Sequence, residues 1–104
     1  MIKQRRLIWS GTARADLIEQ YRHIAESNPL VADRFILTLE RKVRSLARLG
    51  LTGVSRDTLK PGMRSFAYRQ RVIYFVVRDQ ELFVIRILHG HQDTSHEDFT
   101  ESSS

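Results

Sequence analysis

Histidine changes charge near neutral pH, and this chain places three of its four histidines within eight residues, His89-Gly90-His91-Gln92-Asp93-Thr94-Ser95-His96. Three imidazoles and a carboxylate at that density suggest a metal centre. The spacing is not that of a ligand run such as HxHxDH, because the third histidine comes two positions late. A structural or surface role follows for the segment, and no metal or other cofactor is expected.

Other chemistries are narrowed by residue type. The chain has no cysteine, which removes disulfide scaffolds, zinc ribbons, thiol catalysis and CxxC redox chemistry. Ser10, Ser27, Ser45, Ser55, Ser65 and Ser95 stand in no nucleophile context such as GxSxG. No glycine-rich loop follows a strand-like run, so nucleotide cradling is unsupported. RNA cleavage through the 2′-hydroxyl is the enzymatic candidate. His89 would act as acid or base, while Arg64, Arg71 and Arg86 would hold the phosphate. The alternative is that Arg64 and Arg71 are solvated strand ends and that His89 bonds a backbone carbonyl.

These residues must be positioned by regular elements. Arg6-Leu7-Ile8-Trp9 reads as a short strand. Ser10 or Thr12 can cap a following helix, with Asp16 near its positive end. Ala13, Leu17, Ile18, Tyr21, Ile24 and Ala25 follow helical spacing. Asn28-Pro29 ends that helix and starts a second one, whose stripe is Ala32, Phe35, Ile36, Leu39, Val43 and Leu46, with Gly50 as its stop. Thr52 to Gly62 reads as a loop. The period then changes to two, giving strands over Arg64 to Tyr68, Arg71 to Val77 and Leu82 to Leu88.

The order β-α-α-β-β-β specifies an α+β layer: a largely antiparallel sheet with a helical hairpin on one face. The strand after the hairpin should run antiparallel to the first, and the rest should be a meander. Strict alternation puts Phe83, Ile85 and Ile87 under the helices and Arg86 on the open face, where it must reach water, a carboxylate or a ligand. The middle strand is apolar on both faces, so the open face needs cover from the tail, the N-terminal arm or a partner.

At 104 residues and 41% hydrophobic, the chain supports one core and not two. The longest apolar run, Val72 to Val77, is far short of the roughly 20 residues of a membrane helix, and the N-terminus lacks a signal-peptide core. The net charge is +5, with fourteen arginines among seventeen basic residues. Arginine binds anions bidentately, although a GC-rich genome favours it whatever the function. The excess lies in residues 1–14 and 60–92, while residues 93–104 carry four acids and no base. Residues 1–93 therefore read as one domain, and 94–104 as a partly disordered acidic tail that either folds back on the basic block or is solvated.

The residues then form a pattern. Ala13-Arg14-Ala15-Asp16-Leu17 opens the first helix, and Pro29, Ala32 and Leu46 mark the second. Gly62-Met63-Arg64, Val72-Ile73-Tyr74-Phe75 and Ile85-Arg86-Ile87-Leu88-His89 follow, with Gln92-Asp93. In order and spacing this resembles the RelE/ParE superfamily of toxins from type II toxin–antitoxin modules, over roughly residues 7 to 93. It is closest to the ParE branch, with its G-[YM]-R, [IV]-x-Y-x-V and R-[VI]-L-H-x-x-x-D features.

The resemblance implies a cytoplasmic, plasmid-stabilising type of toxin that inhibits DNA gyrase by binding it. Arg64, Arg71, Arg86, His89 and Asp93 would engage the target, with Asp93 equally readable as a cap or ion-pair partner. It also implies a ParD-like antitoxin in a hetero-oligomer, wrapped along the hairpin and sheet over Leu17, Tyr21, Phe35, Leu39 and Tyr74. The alternative is a RelE-like mRNA endonuclease acting on the ribosome, with Arg64, Arg71, Arg86 and His89 as its catalytic set. Against it, Lys60 is the only lysine after Lys42, and no tyrosine follows Tyr74. A basic nucleic-acid-binding module without toxicity ranks last, having no recognition helix or stacking aromatic pair.

Overall fold

The computed structural model describes residues 5–49 and 53–101; the expected helix stop at Gly50 and the last residues of the tail, 102–104, lie outside them. Strand β1 (Arg6–Trp9) leads directly into helix α1 (Gly11–Ser27). Between them Ser10 is the cap: its Oγ accepts from the Ala13 amide at 2.9 Å and donates to the Ile85 carbonyl at 2.8 Å. Helix α2 (Pro29–Leu49) starts as the sequence requires. The Asn28 side-chain oxygen accepts from the Leu30 and Val31 amides at 3.1 and 3.2 Å, satisfying donors that a helix start leaves unpaired.

The sheet continues with β2 (Val54–Ser55), β3 (Met63–Tyr68), β4 (Arg71–Arg78) and β5 (Glu81–His89), in the order β1-β5-β4-β3-β2. Neighbours are antiparallel except β1 and β5, which run parallel with Arg6 opposite Glu81 and Trp9 opposite Val84. The strand after the helices does run back against β1, but that strand is β2, which falls inside the stretch read as loop. Two residues are too few to show a period. The extra reversal makes β3 and β5 point the same way as β1. Gly53 lets β2 lie close: its φ is +81°, and a Cβ there would sit 2.2 Å from the Ser65 carbonyl oxygen.

The face assignment of β5 is corrected by a β-bulge. Tyr74 pairs with Arg86 but Phe75 pairs with Val84, leaving Ile85 as the extra residue. Parity flips there. Leu82, Val84 and Ile87 therefore join Leu39, Val43, Leu46, Ile73 and Phe75 beneath the helices, whereas Ile85 and Leu88 face the other side with Met63, Tyr74 and Val76.

The tail covers that second face. The Phe99 ring lies 5.2 Å from that of Tyr74, tilted by 58°. The Glu101 carboxylate meets Arg78 at 2.5 and 2.7 Å and Lys60 at 3.2 Å. Burial pushes Glu101 up, but hydrogen bonds from Arg78 and then Lys60 outweigh it and hold the carboxyl below its ordinary value.

Two outcomes follow from this packing. Leu46→Ala, wholly enclosed, should cost about 2–5 kcal/mol in urea unfolding, while Leu37→Ala, at 55% exposure, should stay within about 0.5 kcal/mol of the parent. Because Glu101 is lowered on docking, its share of the tail's hold is fully present above the ordinary glutamate value of 4.5 and is lost as the pH falls through the lower docked value. The ring-current shift between Tyr74 and Phe99 in NMR spectra should persist down to 4.5 and fade below it.

Candidate functional site

Strand β1 covers the edge of β5 only as far as Trp9 opposite Val84. Beyond that point the backbone of β5 would be bare, and unpaired buried N–H and C=O groups are costly. Helix α1 takes over. The Ser10 amide donates to the Val84 carbonyl at 2.9 Å and the Ser10 hydroxyl to Ile85 O. The Asp16 carboxylate accepts from the Ile87 amide at 3.0 Å, and the Gln20 side chain donates to Ile87 O at 2.9 Å.

The buried face of α1 is thus Ala13, Asp16 and Gln20, three residues at helical spacing of which two are polar. The apolar stripe read from the sequence is shared out differently, with Ile18 50% exposed. Asp16, expected to serve the helix dipole, lies beyond the first turn and turns its carboxylate onto β5. Its burial was missed. The signal was present, because Ala13, Asp16 and Gln20 share a helix face and a buried carboxylate needs a cation.

That cation is Arg86, only 8% exposed. Its Nε and Nη2 donate to the two Asp16 oxygens at 2.7 and 2.8 Å, and Nη1 donates to Glu97 at 2.9 Å and to the Asp98 carbonyl at 3.1 Å. Hydrogen bonding to Asp16 raises the Arg86 pKa against the opposing effect of burial, so the group stays charged. Of the destinations named for Arg86, it reaches carboxylates, and with them the Asp98 carbonyl.

Around this pair lies a cleft of about 940 Å³ whose lining includes Asp16, Gln20, His23, Arg71, Arg86 and His89. Arg71 pairs with His89 across β4 and β5. Its Nε donates to Gln20 Oε1 at 2.5 Å, its guanidinium sits 4.3 Å from the centre of the Phe35 ring, and burial lowers its pKa. Arginine remains protonated even so. His89 is exposed at the strand end.

Three of the five expected target-binding residues, Arg71, Arg86 and His89, therefore share one cleft, and two do not line it. Arg64 donates to the Gly53 carbonyl at 3.0 Å beside β2. Exposed Asp93 accepts from the Ser95 amide at 3.0 Å, a bond that holds its carboxyl below the ordinary value; this is the local turn role. Among the residues expected to meet an antitoxin, Leu17, Tyr21 and Phe35 are half-buried on the helices. Tyr21 donates to Asp33 at 2.8 Å, and that bond raises its phenol pKa. Leu17 lines one helix groove, and Phe35 lines another of about 380 Å³. Leu39, 2% exposed, lines that second groove from the core beneath it, and Tyr74 lies beneath Phe99. Among the described residues no group of three or more His, Cys, Asp or Glu side chains could hold a metal ion, and no helix is long and apolar enough to cross a membrane.

The buried pair makes a specific demand on stability. Asp16→Asn should cost about 3 kcal/mol in urea unfolding, since it takes the bidentate carboxylate from a desolvated guanidinium and leaves it Glu97 alone as counter-charge. The double variant Asp16→Leu/Arg86→Met should recover most of that loss, because it removes both charges together.

Known proteins are similar to this chain in sequence and in fold. The family model described as ParE toxin of type II toxin–antitoxin system, parDE, matches residues 7–94. Among solved structures the chain is similar to one from P. aeruginosa titled as a chromosomal ParDE TA system. The two are 25% identical, with a TM-score of 0.68, over 83% of this chain and 96% of that one. No curated protein sequence matches significantly. The family model spans both helices and all five strands, from Leu7 in β1 past His89 at the end of β5, and on that ground the chain belongs to the ParE toxin family of type II toxin–antitoxin systems.

Proposed function

We propose that this toxin acts by binding DNA gyrase and that a ParD-like antitoxin neutralises it in the cytoplasm. The observation that carries this reading is the family match over residues 7–94, joined to a fold similar to that of a ParDE chain. The cleft beside α1 is the target-binding surface, with Arg71 and His89 as its contact residues. Arg86 is a positioning residue there, because four of its five N–H donors are already engaged by Asp16, Glu97 and Asp98.

The antitoxin covers the outer side of the hairpin. On the two helices Ile18, Leu30, Val31 and Leu37 are exposed at 50, 71, 46 and 55%, and Leu17, Tyr21 and Phe35 are half-buried. Apolar surface of this kind on a small basic protein suits an acidic partner with an amphipathic segment.

Expression without antitoxin should arrest growth with filamentation, and the purified chain should block supercoiling by purified gyrase. Arg71→Glu should raise the concentration for half-inhibition about tenfold or more, with only a modest fall in the unfolding midpoint from the lost contacts to Phe35 and Gln20. Cleavage of translating mRNA with supercoiling untouched would overturn the gyrase reading.

A further inference from the structure

We propose that the open face of the sheet is a binding site for an extended acidic segment with an aromatic anchor, and that residues 97–101 of the chain occupy it in cis. The site has three parts. Met63, Tyr74, Val76, Ile85 and Leu88 form an apolar floor, buried beneath the tail. Arg86 stands at one end of it. Lys60 and Arg78 stand at the other.

The occupant matches part by part. Glu97 meets Arg86 at 2.9 Å, Phe99 packs on Tyr74 at 5.2 Å, and Glu101 meets Lys60 and Arg78. Acid, aromatic and acid recur every second residue, the period at which an extended chain turns alternate side chains to one side. Asp98, between the first two, contributes its backbone carbonyl instead, which accepts from Arg86 at 3.1 Å.

The hold is shallow. At the Glu101 end it rests on ion pairs at a partly exposed rim, with the Arg78 side chain 54% exposed, and such pairs are individually weak; the ring contact and the more enclosed Arg86–Glu97 pair, at 9 and 22% exposure, complete it. What keeps the segment seated is its short tether to β5, which gives it an effective concentration in the millimolar range. A free segment of the same chemistry competes with a tethered one and binds only to the fraction of molecules whose face is open. The tail thus sets a threshold for any partner that uses this face, whichever protein the toxin attacks.

The test uses the full chain and a labelled peptide with the sequence of residues 94–101, followed by fluorescence anisotropy. The peptide should bind the variant Glu97→Gln/Phe99→Ala/Glu101→Gln about tenfold more tightly than the parent chain, as expected when a tether fills about nine faces in ten. Adding Lys60→Glu/Arg78→Glu to that variant should abolish binding. Equal binding to parent and variant, or binding that survives the charge reversal, would overturn the proposal. So would a concentration-dependent dimer of the parent chain in light scattering, because the tail would then sit on a second copy. Glu101→Gln alone leaves ring and backbone unchanged and should give a smaller, severalfold gain if the triple variant fails to fold.

Discussion

A guanidinium can leave water only if carboxylates or carbonyls meet it, and here that requirement ties together three segments far apart in sequence. Arg86 sits beside the β-bulge of β5. Asp16 comes from α1, 70 residues earlier, and Glu97 from the tail, 11 residues later. The same Asp16 carboxylate that grips Arg86 also accepts from the Ile87 amide. One side chain therefore neutralises a buried charge and closes a gap in the strand's hydrogen bonding. The position of α1 along β5 follows from it, and with that the lie of α2 over the sheet and the mouth of the cleft beside Arg71 and His89. Such a pair adds little net stability over an apolar replacement. Its contribution is registration, because sliding α1 along β5 would break the bonds to Arg86 and Ile87 from Asp16 and Gln20 together.

The elements that were legible in the sequence are those whose signals are local. Asn28-Pro29 carries its capping chemistry within four residues, and α1 and α2 meet where that chemistry requires. The strands after Gly62 show their period over six residues or more. What was not legible depends on contacts between distant residues. β2 is two residues long and exists because β3 is beside it. The bulge at Ile85 is invisible to alternation, since nothing in Val84-Ile85-Arg86-Ile87 marks the skipped step. Reading through it transposes Ile85 and the residues before it to the wrong face. The cleft is half legible: the sequence marks Arg71 and Arg86 as anion-holding cations and His89 as an acid or base, but not Asp16 and Gln20 as the groups that orient the two arginines.

A single sheet of this size has two faces and only one helical hairpin. The chain resolves the imbalance with its own terminus, which places Phe99 on Tyr74 and carboxylates on Lys60, Arg78 and Arg86. The segregation of charge along the sequence, basic in 60–92 and acidic in 93–104, acquires a physical meaning from that contact. Three cations of the basic block are met by the tail within the molecule, so less of that block's charge is open to a partner.

The consequence is that the two faces of β5 meet a partner differently. At the cleft, Arg71 and His89 stand at an opening, and Arg71 keeps its charge while stacked on Phe35 and held by Gln20. A partner's carboxylate or phosphate arriving there gains a preoriented cation held by a neutral amide. Arg86, buried behind them, offers nothing comparable, since any anion reaching it must replace a bidentate carboxylate already in place. On the opposite face Lys60, Arg78 and Arg86 are engaged by the tail, and binding there is an exchange of one acidic segment for another. At the first surface a partner would meet this preoriented cation among a lining that also carries Asp16, Glu19 and Glu26. The second favours discrimination, because only a segment that reproduces both the charges and the ring recovers what the tail gives up.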